Sequence, residues 1–188
     1  MANDCYFLLK AVAWNKGTLD RLYALMDYKD PDGLFIYRVR DLQIDKPPTR
    51  AGGFWSMELS GDVAWEDYYW FHDYYASYDQ FMQQTKMLDG PRPVNPEEEA
   101  NRKNIRTFQQ LCPLWDFGVE TWTEELGCAF QGHRLCTASG NLVIEETRDY
   151  STDEHGKPER GYEGFGHKWG VWSPLKTIYG NNEEGVKK

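Results

Sequence analysis

The chain predicts an α+β fold built on one antiparallel sheet. Three features carry that reading. Residues 120–150 read as three consecutive strands joined by turns at Gly127 and at Ser139-Gly140-Asn141, with β-branched and aromatic residues at the strand positions. Two segments with helical spacing, near 18–26 and 96–112, are set between extended runs rather than grouped together. The 188 residues suit one domain with elaborations better than two.

Residues 4–14, DCYFLLKAVAW, are apolar on both faces, as an interior strand requires. Gly17-Thr18 then starts a helix with Thr18 as N-cap, and Leu19, Leu22 and Met26 follow at helical spacing with Tyr23 beside them. Pro31-Asp32-Gly33 is a turn, because Pro presets one dihedral and Gly permits a positive one. Residues 34–42 form the next strand, and Pro47-Pro48 with Gly52-Gly53 bracket a loop. Residues 54–60 alternate, with Trp55, Met57 and Leu59 on one face and Ser56, Glu58 and Ser60 on the other.

Residues 65–78, WEDYYWFHDYYASY, are acidic and aromatic without a clear period, and read as short helix plus loop. A helix is expected around 79–87, broken by Gly90-Pro91-Arg92-Pro93. Asn95-Pro96 followed by Glu97, Glu98 and Glu99 is a strong helix start, with carboxylates at the positive end of the dipole. Ile105, Phe108 and Cys112 form its buried stripe, and Pro113 ends it. Residues 151–188 are polar and Gly-rich, an irregular extension that wraps over the body and is mobile from about Asn181.

With the insertion at 65–95 set aside, residues 1–150 give the order strand, helix, strand, strand, helix, strand, then an extra hairpin. That is the split βαβ, ferredoxin-like pattern, with two right-handed crossovers placing both helices on one face of the sheet. The other face is covered by the insertion and tail, or is open to a partner.

Composition narrows the function classes. Hydrophobic residues make up 40 %, but 8 Trp, 12 Tyr and 9 Phe exceed what one small core consumes, so some rings are expected on a binding surface. The formal charge of −9 repels nucleic-acid backbones and anionic lipid, which disfavours general DNA or RNA binding. It serves solubility, or competes for the basic surface of a nucleic-acid-handling protein. Cys5, Cys112, Cys128 and Cys136 have no CxxC pair and no ligand-like spacing to a His, and read as small buried hydrophobes of a reducing compartment. No signal peptide or membrane-length apolar run is present, so a cytoplasmic protein is expected.

Candidate sites fall in three groups. Asp62 and Trp65 follow the strand at 54–60 and serve either as an indole and carboxylate for a base and ribose, or as a turn Asp and a core Trp. Glu124 and Glu125 with Phe130, Gln131 and His133 offer paired carboxylates and an imidazole for acid–base chemistry, or solvated strand-end charges. Alternation places Gln131 and His133 on one face and Phe130 and Arg134 on the other, where Arg134, Arg148 and nearby Tyr residues can grip a phosphate. The rings Trp65, Tyr68, Tyr69, Trp70, Phe71, Tyr74, Tyr75 and Tyr78 form a minicore, a protein-docking face, or a pocket for a small ring-bearing ligand. No HExxH, P-loop, GxGxxG before a helix or GxSxG is present, and no catalytic residue, metal site or cofactor is assigned.

MANDCYFLL at the start, SGDVAW at 60–65, and EELGCAFQGHRL followed by SGNLVIEE resemble the YubB-type ferredoxin-like family of phages, plasmids and related mobile elements. Asp4 stands where that family usually has Trp, and Trp172-Ser173-Pro174 resembles a further family segment but stands in the wrong order and carries no weight. The resemblance covers the ferredoxin-like framework and not the insertion or tail. It implies an accessory gene of a mobile element, in a family without established catalytic residues.

The leading expectation is therefore a non-enzymatic phage or mobile-element protein that counters host immunity by sequestering a nucleotide-type signal in an aromatic pocket, as a monomer or homodimer. An alternative is an acidic inhibitor of anti-CRISPR or anti-restriction type, docking on a host defence protein. A third is a ferredoxin-like hydrolase or RNA-processing enzyme that depends on His133 or Glu125.

Overall fold

A computed structural model describes residues 4–64, 67–84, 96–125, 129–149 and 164–180. They form an α+β structure with a six-stranded open sheet and six α-helices. The strands are β1 (Asp4–Ala13), β2 (Val39–Ala51), β3 (Phe54–Ala64), β4 (Phe117–Glu125), β5 (Phe130–Cys136) and β6 (Leu142–Asp149). They lie in the order β2-β3-β1-β4-β5-β6, and every neighbouring pair is antiparallel. The helices are α1 (Lys16–Met26), α2 (Tyr68–Phe71), α3 (Tyr74–Gln84), α4 (Pro96–Asn104), α5 (Phe108–Trp115) and α6 (Leu175–Tyr179).

The interior position of β1 explains why its sequence is apolar on both faces. Cys5, Phe7 and Leu9 join Met57, Leu59 and Val63 of β3 and Phe117 and Val119 of β4 on one face of the sheet. Leu19, Leu22, Leu25 and Met26 of α1 close over that face, with Phe108, Leu111 and Cys112 of α5 and with Trp70 and Phe71 of α2. Burying each such side chain contributes about 1.5–3 kcal/mol, so this layer dominates stability. The opposite face is covered by residues 164–180: Val12, Phe54 and Leu135 meet Ile178 of α6 in a second, smaller core. Cys5, Cys112 and Cys136 are buried in the core, and Cys128 lies outside the described residues.

Several boundaries differ from the sequence expectation, each for a local reason. The N-cap of α1 is Asn15, whose side chain accepts from the Gly17 amide at 2.8 Å, and not Thr18. Residues 34–38 are not strand. β2 begins at Val39 and runs through Pro47-Pro48, which a loop was expected to hold. Two prolines are tolerated there because β2 is an edge strand with register shifts against β3, including one between Lys46 and Thr49. Gly61 of β3 sits opposite another shift, where a Cβ would lie 2.7 Å from the Arg40 carbonyl oxygen. Asp62 therefore lies inside a strand and does not follow one.

The expected helix across 96–112 is two helices. Thr107 begins α5 with a capping box, accepting from the Gln110 amide while Gln110 Oε1 accepts from the Thr107 amide at 3.0 Å. Pro113 lies inside α5 and does not end it. The described part of the aromatic insertion packs with the helices, and among the described residues the tail covers the far face. That tail is not wholly irregular: it contains a 3-10 turn (Gly166–Lys168) and α6. No helix among the described residues is long and apolar enough to cross a membrane.

Candidate functional site

The rings of the insertion divide into two populations. Trp70 and Phe71 are fully in the core, and Trp70 Nε1 donates to the Tyr37 carbonyl at 2.7 Å. Tyr69, Tyr74, Tyr75 and Tyr78 are half-buried and turn toward residues 28–38, the segment that joins α1 to β2. That segment is fixed to the end of α4: the Phe35 amide donates to the Asn104 carbonyl at 3.2 Å, and the Arg106 amide donates to the Phe35 carbonyl at 3.0 Å.

Between them lies a cleft with two chambers. The first, about 380 Å³, is bounded by Tyr28, Phe35, Tyr37 and Tyr75, with Asn101 and Glu98 of α4. The second, about 630 Å³, is bounded by Tyr69, Ser77 and Phe81. Arg38, Tyr74 and Tyr78 line both. The phenol rings are ordered: Tyr37 stacks on Tyr74 at 4.5 Å and 22°, and Tyr74 is nearly parallel to Tyr78 at 6.1 Å and 21°. Tyr69 stands edge-on to Tyr74 at 5.0 Å and 87°. The i, i+4 spacing of Tyr74 and Tyr78 puts both on one side of α3.

The Arg38 guanidinium lies 4.9 Å from the Tyr37 ring centroid, and among the described residues it makes no ion pair or hydrogen bond. Arg102, the neighbouring cation, is occupied by Asp79 at 3.0 Å and by Glu98 at 2.8 Å. Arg38 and Tyr28 both hold left-handed backbone, with φ of 51° and 56°. Such conformations in bulky residues cost about 1–3 kcal/mol each and gather where a site requires them. Burial pushes the Tyr37 hydroxyl well above its ordinary pKa, reinforced by the Tyr74 hydroxyl; burial also raises Tyr28 and Tyr75. These phenols stay protonated and able to donate.

The remaining sequence candidates are placed elsewhere. Arg134 is buried, and its Nη1 donates to Asp67, which is also fully buried and accepts from the Thr121 and Thr123 hydroxyls. Arg134 is therefore an internal counter-ion, and Arg148 lies on the opposite sheet face beside Glu146, so the two form no phosphate grip. Tyr68 lies over Arg134 at 5.7 Å and stacks on His72 at 4.2 Å. Glu125 is buried and Phe130 packs against the main core.

Gln131 and His133 share the tail-facing side, as alternation predicts. Gln131 Nε2 donates to Glu124 at 3.0 Å, and Gln131 Oε1 accepts from the Phe165 amide at 3.0 Å. His133 stacks flat on Trp122 at 3.7 Å and its Nε2 lies 2.7 Å from Glu120 Oε1. Glu120 also accepts from the Ser173 amide at 2.8 Å and the Ser173 hydroxyl at 2.9 Å, so this cluster fastens the tail. Ser173 donates to the carboxylate and not to the imidazole, which is not the arrangement of an activated nucleophile. Asp62 lies on the same face with its pKa raised by burial and by the Asp41 and Asp4 carboxylates. Trp65 lies outside the described residues.

The cleft residues that sequence reasoning did not reach are Ser77, Phe81 and Asn101 on the helices and, before β2, Tyr28, Phe35, Tyr37 and Arg38. The last four include the ladder's Tyr37 and its cation Arg38. They lie at least thirty positions from α3 and carry no local motif; their one sequence signal is the excess of tyrosine. Among the described residues, no three His, Cys, Asp or Glu side chains are grouped to hold a metal ion. No protein-family model, curated protein or solved structure matches the chain.

Proposed function

We propose that the tyrosine cleft binds a nucleotide-type ligand, and that the protein is an accessory binding protein of a phage or mobile element that counters host immunity by sequestering that signal. One observation carries the binding reading: the ladder of Tyr37, Tyr74 and Tyr78 rings beside Arg38, which has no acidic partner among the described residues. Aromatic faces hold a base by stacking, worth about 1–3 kcal/mol per base, and a guanidinium holds phosphate. The chamber volumes fall in the range of small-molecule sites. The strand order β2-β3-β1-β4, with α1 after β1 and helices between β3 and β4, supports a ferredoxin-like split βαβ core, with β5 and β6 as a hairpin added at the β4 edge.

The test is titration calorimetry with AMP, cyclic AMP and ADP-ribose on the parent protein and on Arg38→Met and Tyr74→Ala. Binding by at least one ligand, weakened about tenfold or more by either substitution, is expected. No heat across the panel removes the proposal. Docking on a host protein through Trp70 is weakened by the burial of that indole.

A further inference from the structure

We infer that the ligand is a dinucleotide, with one base in each chamber and the bridging phosphate on Arg38. The inference rests on the nucleotide reading above and specifies its ligand class. The cleft is not one cavity with one aromatic floor. It is two chambers that, among the described lining residues, share Arg38, Tyr74 and Tyr78. Each has its own further rings: Tyr28, Phe35, Tyr37 and Tyr75 on one side, Tyr69 and Phe81 on the other. A single base uses one set and leaves the other wet. Two bases joined through phosphate use both, and their linker falls at the shared boundary, where the cation stands.

Charge supports the same class. Arg38 lines both chambers and has no acidic partner among the described residues, whereas the neighbouring Arg102 is held by Asp79 and Glu98. One guanidinium matches one phosphodiester. The formal charge of −9 and Glu98 in the first chamber oppose a triphosphate, whose charge is concentrated and uncompensated here. Each chamber also carries polar side chains able to meet a base edge, Asn101 in the first and Ser77 in the second.

The experiment is calorimetry on the full chain with AMP, ATP, linear adenylyl-adenosine and cyclic di-AMP, repeated on Tyr28→Ala and Phe81→Ala. Both side chains are more than half exposed, so the fold tolerates their loss. Adenylyl-adenosine or cyclic di-AMP is expected to bind about tenfold or more tighter than AMP and ATP, and the better of the two shows whether the link is open or closed into a ring. Both substitutions are expected to weaken the dinucleotide about fivefold or more, whereas AMP responds to at most one of them. A dinucleotide no tighter than AMP, or insensitive to one substitution, overturns the two-base inference and leaves the single-base reading standing. Silence of all four probes overturns both.

Discussion

Replacing Asp67 by Ala takes a carboxylate out of a fully buried site and leaves the Arg134 charge without its buried counter-ion. The Thr121 and Thr123 hydroxyls lose their acceptor at the same time. Breaking one side of a buried pair costs about 3–5 kcal/mol, because the remaining charge stays desolvated. Arg134 keeps Thr147 Oγ1 at 3.3 Å and Glu145 at 3.9 Å, which places the expected loss near the middle of that range, about 4 kcal/mol. A chain of this size melts about 2–4 °C lower per kcal/mol lost, so Tm falls by about 8–16 °C. Urea unfolding followed by tryptophan fluorescence measures it. The double variant Asp67→Leu with Arg134→Met removes both charges and recovers most of the loss, because an apolar pair of similar volume needs no counter-ion. A single variant within about 1 kcal/mol of the parent, or a double variant no better than the single, refutes the assignment of Asp67 and Arg134 as a structural pair.

Gly118→Ala would put a Cβ 1.9 Å from the Ile178 carbonyl oxygen, so α6 must lift from β4. A loss of about 1–3 kcal/mol, with faster proteolysis within residues 164–180, is expected; unchanged protection of that segment contradicts the contact. Asp62 titrates above its ordinary value through burial and the Asp41 and Asp4 carboxylates, so its charged form opposes folding above the raised folded pKa. Asp62→Asn is expected to raise stability at pH 7 and to leave it unchanged well below pH 3.8, where the carboxyl is protonated in both states. Equal gains at both pH values would point away from charge.

Much of the sheet was legible in the chain. β1 announces its interior place by being apolar at Phe7 and Leu9 and also at Leu8 and Val12. β3 shows its core face in Met57 and Leu59, and the alternation in β5 separates His133 from Arg134 correctly. The break before α5 was also written locally, as the Thr107–Gln110 capping box, although the hydrophobic stripe of Ile105, Phe108 and Cys112 runs across it and masks it. The cleft was not legible as a whole. Tyr74 and Tyr78 are four apart in α3, but they sit in a segment whose rings show no clear period, and their partners Tyr37 and Arg38 arrive from a segment that reads as strand by composition. Arg38 takes a positive φ that no residue preference signals. The pairing of Asp67 with Arg134 joins the start of α2 to β5 across 67 positions, and each residue alone reads as a surface charge.

The way residues 164–180 cover the far side of the sheet has a consequence for biosynthesis. Val12, Phe54 and Leu135 acquire their cover from Ile178, and Glu120 acquires two of its donors from Ser173. All six strands leave the ribosome before that cover exists. The nascent sheet thus presents one oily side to solvent until residues 164–180 are made. A stop codon ahead of residue 164 would make that state permanent, and its product would cling to chaperones or to itself.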